Sequence, residues 1–320
     1  MLSRNIGYYN KLQGYDRIFG SGKYNPITAF PGCTSNACLL FFNLESPFHP
    51  VDRDIQNGGF TFRANTNNLE VLQGLRNQHL PLLLSLANNH LLNGGYQGVV
   101  TTKQLLAENG IATVGAGLTL EEAGRVTQDI NGLKLCFGAY SYEGRIDRKI
   151  GGGTFTRNPL DPDAIIQDLQ EMKKLNCDAK ILSLHRGAEY KLNPNKKQIE
   201  LAHTFIDAGA DLILGGHSHV PGKIEKYTGK YIFYSLGNFV FDQERGKTAR
   251  GAEFDYIYDS ELKRKTVPTY IAMLAGLQFV KNGSGTEILL DALQFDTLSK
   301  GVHTPLDPQT SATLKELLWK

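Results

Sequence analysis

Only four cysteines are spread over 320 residues, which excludes a small scaffold held together by disulfides. No stretch reaches 18 consecutive apolar residues. The longest candidate, Tyr270 to Val280, is interrupted by Gln278 and falls far short of a bilayer crossing. No secretory leader precedes the first motifs, and the opening Met1-Leu2-Ser3-Arg4 reads as the middle of something. An excess of one charge is missing too. The 34 basic and 32 acidic residues leave a formal +2, which argues against a dedicated nucleic-acid binder, whose surface needs a basic excess. Internal repeats and low-complexity tracts are absent. What is present, 41% hydrophobic and 21% charged residues, is the composition of an ordered chain with ample core, enough for one large α/β domain or two ordinary ones.

Four apolar bursts end in clusters of chemically capable residues. Leu39-Leu40-Phe41-Phe42 runs into Asn43-Leu44-Glu45, and Leu82-Leu83-Leu84-Ser85-Leu86 runs into Asn88-Asn89-His90. Ile181-Leu182-Ser183-Leu184 runs into His185-Arg186-Gly187-Ala188-Glu189, and Leu212-Ile213-Leu214 into Gly215-Gly216-His217-Ser218-His219. Short apolar runs bounded by turn residues predict strands buried on both faces. Between them, helical spacing predicts helices over 68–79, 97–109, 161–175 and 196–208, with Pro162 at a helix start and Gly110 and Gly209 just past helix ends. This alternation implies crossover units and a sheet flanked by helices, with the ligand site beyond the carboxyl ends of the strands. After Asp242 the character changes. Glu244–Lys265 reads as a long loop, Ile271–Val280 and Thr286–Phe295 as a strand pair turning at 282–285, and Thr310–Trp319 as a terminal helix.

His217 and His219 are two apart, so in an extended segment both rings face one point. An HxH pair in isolation is equally well two loop histidines. His185 alone reads as a strand-end histidine satisfied by a carbonyl, Asn88-Asn89-His90 as turn chemistry, and Glu45 as a solvated acid. Taken jointly they differ. One carboxylate, one Asn oxygen and three imidazoles at parallel strand ends suit Zn, Mn or Fe, and a metal pair would suit phosphate-ester hydrolysis with His90 as proton donor. His49, His79, His203 and His303 take no part. Cys33 and Cys38 are close enough to pair in an oxidising compartment, whereas Cys136 and Cys177 read as ordinary buried thiols. Phe233–Phe241 reads as a core strand running into a turn at Gly237-Asn238.

Phe42-Asn43-Leu44-Glu45-Ser46-Pro47, Ser85-Leu86-Ala87-Asn88-Asn89-His90, Gly115-Ala116-Gly117, Ser183-Leu184-His185, Glu189-Tyr190, Gly216-His217-Ser218-His219-Val220 and the run from Phe233 to Asp242 resemble the CapA family of bacterial capsule-synthesis proteins. The resemblance extends from Met1 to about Asp242. It implies a calcineurin-like metallophosphatase fold, a four-layered α/β/β/α sandwich with its first strand truncated here. It also implies a core over 1–242, completed by an extension over 243–320.

By position, the resemblance implies that Glu45 is a bridging metal ligand, that Asn89, His185, His217 and His219 are ligands, and that His90 is the catalytic histidine. His217 and His219 would serve different ions. Arg4 and Arg63 match recurrent arginines. With Arg186, Asn43, Asn88, Glu189 and Asn238 they make up the expected substrate contacts. The family's opening strand ends in Gly-Asp, and that Asp ligand is absent here. One metal position therefore keeps Glu45, Asn89, His185 and His217, while the other has only Glu45 and His219. Arg186 stands where the family commonly has Trp, and either faces solvent or pairs with phosphate or carboxylate. The expected function is capsule or poly-γ-glutamate biosynthesis with a metal-dependent, phosphoesterase-like hydrolase site. The alternatives are a non-catalytic accessory of a membrane polymer synthase and a general metallophosphoesterase. The expected partners are one or two divalent ions, an acidic polymer or phosphate-containing substrate, and synthase subunits, with no nucleic acid. The expected location is extracytoplasmic, with membrane attachment through a segment preceding Met1.

Overall fold

The apolar runs form strands because continuous β-branched and leucine-rich stretches can bury both faces only inside a covered sheet. In the computed structural model, which describes residues 30, 37–50, 62–76, 80–117, 119–141, 147–150, 153–157, 160–239, 258–259, 264–265, 269–283, 285–299 and 302–319, two parallel systems carry them. Leu40–Asn43, Leu82–Ser85 and Ala112–Val114 make a three-stranded parallel sheet. The larger sheet has six strands in the order Ile224–Tyr227, Lys230–Phe233, Leu212–Gly216, Ala179–His185, Leu133–Ser141, Val126–Ile130. Its four inner strands are parallel and its two outer ones antiparallel to their neighbours. Leu82–Ser85 is buried throughout, whereas Leu40–Asn43 alternates between buried and half-buried, as befits the end strand of its sheet.

The helices fall where their spacing predicts, at Leu69–Arg76, Gly95–Glu108, Pro162–Lys174 and Lys196–Asp207. Asp161 caps the third by accepting from the amides of Asp163 and Ala164. Asn195 caps the fourth in a reciprocal box with Gln198. Three apolar clusters result. One packs Leu69, Leu72, Val99 and Leu106 against Leu40, Leu82 and Leu84. A second packs Ile165, Leu169, Met172, Phe205 and Ile206 against Leu182, Ile213 and Ile232 of the large sheet. The third lies between the sheets and joins Leu83 and Val114 to Phe137, Ile181, Leu214 and Phe233. Each fully buried side chain of this size contributes roughly 1.5–3 kcal/mol.

The late strands are longer than predicted, Ile271–Asn282 against Gly285–Ser299, with Val302–Pro305 added to the latter. Ile271, Met273 and Phe295 pack in the cluster between the sheets. The terminal helix is Pro308–Trp319. Within the expected irregular stretch, Tyr258–Asp259 pairs with Arg264–Lys265 and the remainder lies outside the described residues, as do Arg4, Cys33 and His79. The Cys33–Cys38 pairing therefore also lies outside them.

One expectation fails here. Cys136 and Cys177 are a disulfide, not free thiols, with Cα atoms 5.8 Å apart. The reason is topological. Cys177 follows the helix Pro162–Lys174 just before the strand Ala179–His185, and that strand pairs with the one carrying Cys136. In the expected run from Phe233 to Phe241, the buried strand Lys230–Phe233 leads to a turn at Gly237 (φ 68°), which meets Ala272 through an isolated bridge, and 240–241 lie outside the described residues.

Candidate metal centre

All four polar clusters emerge at the carboxyl ends of parallel strands, two from each sheet. Glu45 follows Leu40–Asn43 and Asn88-Asn89-His90 follows Leu82–Ser85, while His185 ends its own strand and His217 and His219 follow Leu212–Gly216. The structure brings Glu45, His185 and His217 together, each offering a ligand atom within 4.8 Å of the others. Glu45 is fully buried, and His185, His217 and His219 are each 3% exposed.

The surroundings account for the electrostatics. Glu45 Oε1 is 3.7 Å from His185 Nε2 and 4.0 Å from His90 Nε2. It is a buried carboxylate oxygen without a hydrogen-bond partner among the described residues. Glu45 Oε2 accepts from Asn43 Nδ2 at 3.1 Å. Burial outweighs that bond and raises the carboxyl to about 8. Burial also lowers His217 to about 4 and His219 to about 3, with the neighbouring His90 adding to both shifts. Behind the cluster, an apolar cavity of about 520 Å³ between the sheets has Asn43, His185 and Gly216 at one end and Phe137 and Leu214 on its walls. Such a backing keeps the local dielectric low. An orphaned buried carboxylate oxygen beside neutral imidazoles fits a divalent cation of the Zn, Mn or Fe type.

The expectation that His217 and His219 share an extended segment is corrected. Both lie past the strand with left-handed backbone, φ 93° and 61°, and so does Tyr190 at 60°. Such conformations cost of order 1–3 kcal/mol each in non-glycine residues. Left-handed residues do not alternate as extended ones do, and the two ring centres lie 6.3 Å apart. His219 is instead stacked on Tyr190 and set against Asn238, whose Oδ1 is 3.1 Å from His219 Nδ1. Gly215 admits this path. A Cβ there would collide with the Tyr234 carbonyl oxygen.

The other expected residues are distributed as follows. Asn89 Oδ1 is 2.8 Å from His185 Nε2. Asn88 donates to Asn43 Oδ1 and to the Leu44 carbonyl, and accepts from the His90 amide. Asn43 and Asn88 thus brace Glu45 and the His90 loop. Arg63 donates from Nε to the Asn93 carbonyl. Arg186 is half-buried, its Nε and Nη1 atoms are buried without acceptors among the described residues, and burial lowers its pKa. Glu189 lies on an exposed turn. Asn93, Phe62 and Tyr190 were not expected as site residues. The signal for Asn93 is its place three residues after His90. Tyr190 falls in the Glu189-Tyr190 motif, whereas Phe62 had no signal of a site role in the chain around it.

A family model described as "Bacterial capsule synthesis protein PGA_cap" matches residues 2–243. The PGA biosynthesis protein CapA of Bacillus subtilis is 38% identical over 59% of this chain and 50% of its own length. A probable polyglutamine synthesis accessory protein of Mycobacterium tuberculosis is 32% identical over 68% of this chain and 59% of its own. The chain thus spans about half the length of these curated relatives. The solved NAD nucleotidase NadN of Haemophilus influenzae aligns with 79% of this chain and 43% of its own at 14% identity, with a TM-score of 0.40, too low to establish a shared fold.

Proposed function

Since the chain belongs to the bacterial capsule synthesis protein PGA_cap family, we propose that it serves capsule polymer synthesis, of the poly-γ-glutamate type, through a metal-dependent hydrolase site resembling that of phosphoesterases. The observation carrying this reading is the buried Glu45–His185–His217 cluster with its orphaned carboxylate oxygen. Glu45, Asn89, His185 and His217 would hold one divalent ion, and His219 with Glu45 a second, weaker one. When bound, such an ion supplies Lewis acidity toward a phosphoryl or carbonyl oxygen. His90, 7% exposed and directed at Glu45, holds or delivers a proton at the leaving oxygen. Asn43 and Asn88 orient the carboxylate and the His90 loop. Arg4, Arg63, Arg186, Glu189 and Asn238 complete the proposed substrate contacts, and an Arg among them suits a phosphate or an acidic polymer.

The reading includes a four-layer α/β/β/α sandwich, with a core over 1–242 and an extension over 243–320 that completes it. The three apolar clusters, helix against sheet, sheet against sheet and sheet against helix, support it. An extracytoplasmic site of action fits the Cys136–Cys177 disulfide. No helix among the described residues is long and apolar enough to cross a membrane.

The test is metal analysis of the purified protein together with turnover of a phosphodiester and of a γ-glutamyl polymer. Stoichiometric metal and turnover, both lost in His185→Ala/His217→Ala, are expected. Absent metal with unchanged behaviour of the double variant overturns the catalytic reading. The name of the mycobacterial relative favours a second one, an accessory protein of a polymer synthase. Capture of a synthase subunit that persists in the double variant is its expected result.

A further inference from the structure

The three arginines expected to meet substrate are not equivalent. Arg4 lies outside the described residues. Arg63 is already engaged, its Nε donating to the Asn93 carbonyl. Arg186 differs from both. It is half-buried, and its Nε and Nη1 atoms are buried without an acceptor among the described residues. Burial acts on its charge, with no neighbouring carboxylate among the described residues to offset it. Glu189, three residues on, does not serve as the counter-ion, because its charge is felt at Glu45 and not at Arg186. A guanidinium drawn from water without partners is costly, and calls for an anion from elsewhere.

The backbone that carries Arg186 is held in place. The Arg186 N–H donates to the Gly216 carbonyl at 3.4 Å, and the Tyr190 N–H donates to the Ser218 carbonyl at 2.7 Å. The loop 186–190 is thereby tied at both ends to the stretch that presents His217 and His219. From the other side, Gln198 Nε2 donates to the Arg186 carbonyl at 3.4 Å. Gln198 is itself locked in the capping box with Asn195 at the start of the helix Lys196–Asp207. Gly187 (φ 111°) leaves room for that carboxamide, which a Cβ there would strike. The loop is thus fixed while Nε and Nη1 make no bond. Turning the fork toward an incoming oxyanion breaks no bond at either atom, so recognition costs little reorganisation.

We propose that Arg186 is the subsite that recognises an acidic polymer beside the metal centre, taking the carboxylate of a unit next to the one at the ion. The inference rests on the capsule-polymer reading and names the group that reads the polymer's charge. A planar fork of donors matches a carboxylate in two parallel hydrogen bonds. Arg186 follows the ligand His185 directly in the chain, yet Glu45 does not feel its charge, so the guanidinium stands apart from the ligand set. A substrate answering both places needs a second anionic group besides the one at the ion. A polymer with a carboxylate on every unit has it, whereas a simple phosphate monoester carries one charged group. A formal charge of +2 gives the chain no general attraction for a polyanion, so recognition must be local.

The experiment is calorimetry of the full chain with a γ-glutamyl oligomer, with the same oligomer methyl-esterified on its carboxyls, and with inorganic phosphate, both free of metal and metal-loaded. Wild type should bind the acidic oligomer in both states and the ester weakly. Arg186→Met should weaken oligomer binding on the order of 10–100-fold, the worth of a hydrogen bond to a charged group. Arg186→Lys should lose less, since the charge stays and only the fork is gone. In turnover the loss should appear in KM with kcat little changed. An ester bound as tightly as the acid overturns the proposal even if Arg186→Met fails to fold. Equal oligomer affinity in wild type and a folded Arg186→Met overturns it as well, and so does phosphate binding that needs Arg186 while the oligomer is not bound. Oligomer binding that needs Arg186, with no turnover of any ester or polymer, upholds the subsite and overturns the hydrolase reading instead.

Discussion

Glu45 Oε1 and His185 Nε2 stand 3.7 Å apart although they hang from different sheets, and among the described residues no group hydrogen-bonds that oxygen. The carboxyl is held up at about 8, while His217 is held down at about 4. At neutral pH His217 and His219 are already neutral, and the carboxyl must lose its proton before it can ligate. Metal affinity should therefore rise with pH up to about 8 and level off beyond, with up to one proton released per ion below that value. Calorimetry of Mn or Zn binding in buffers of different ionisation enthalpy measures this. Binding that does not change between pH 6 and 8 would contradict the assignment.

The metal-free fold should respond to the same groups in opposite senses. Glu45 is raised from 4.5 to about 8, so its contribution to stability is fully present below 4.5 and is lost as pH rises through about 8. His217 is lowered from 6.5 to about 4, so its contribution is present above 6.5 and is lost as pH falls through about 4. Glu45→Gln should thus raise the Tm of chelator-treated protein at alkaline pH, whereas His217→Gln should raise it at acid pH. Thermal melts across pH decide it, and a pH-independent effect of either variant counts against the burial argument.

Asn238 donates from Nδ2 to the Thr269 carbonyl at 3.0 Å, which turns its Oδ1 toward His219 Nδ1. His219 then carries its proton on Nδ1 and offers Nε2 as a ligand. Asn238→Leu should weaken metal binding about 10- to 100-fold, as loss of such a supporting bond typically does. Asn238→Asp should retain most of the affinity. Equal affinity in wild type and Asn238→Leu would remove His219 from the ligand set.

Reducing Cys136–Cys177, or replacing Cys177 with Ser, opens a loop with a sequence separation of 41. In the chain-entropy account this costs roughly 3–4.5 kcal/mol. Denaturant unfolding with and without reductant should show the loss in wild type and none in Cys177→Ser. A midpoint insensitive to reductant in wild type would rule out a structural role.

Gly215→Ala should destabilise the fold by about 1–3 kcal/mol, because the added Cβ meets the backbone carbonyl of Tyr234, not a side chain that can swing away. The damage should reach His217, two residues on. Impaired metal binding together with a lowered unfolding midpoint is the expected pair of results.

Most elements were legible because each followed one strong local signal. Leu82–Ser85 had an unbroken apolar run, Pro162–Lys174 had its cap and its proline, and the late hairpin had its glycine-rich turn. The polar clusters were legible as strand-end residues, and the structure places them at strand ends. What escaped depended on pairings distant in the chain. The Cys136–Cys177 bond exists because two strands neighbour one another, which spacing alone does not reveal. The left-handed backbone at His217 and His219 broke the period-two rule, because no glycine at either position announced it. Phe62 reached His90 only through the fold.

The division of the centre between two sheets has a mechanical side. Glu45, Asn89 and His90 are carried by the three-stranded sheet, and His185, His217 and His219 by the six-stranded one. An ion gripped from both would act as a rivet across the seam between them. Its occupancy would then be felt by the whole fold, adding about 2.7 kcal/mol of stability when free metal exceeds its dissociation constant a hundredfold. Chelation would soften the seam first, leaving each sheet backed by its own helices while the grip between them loosens.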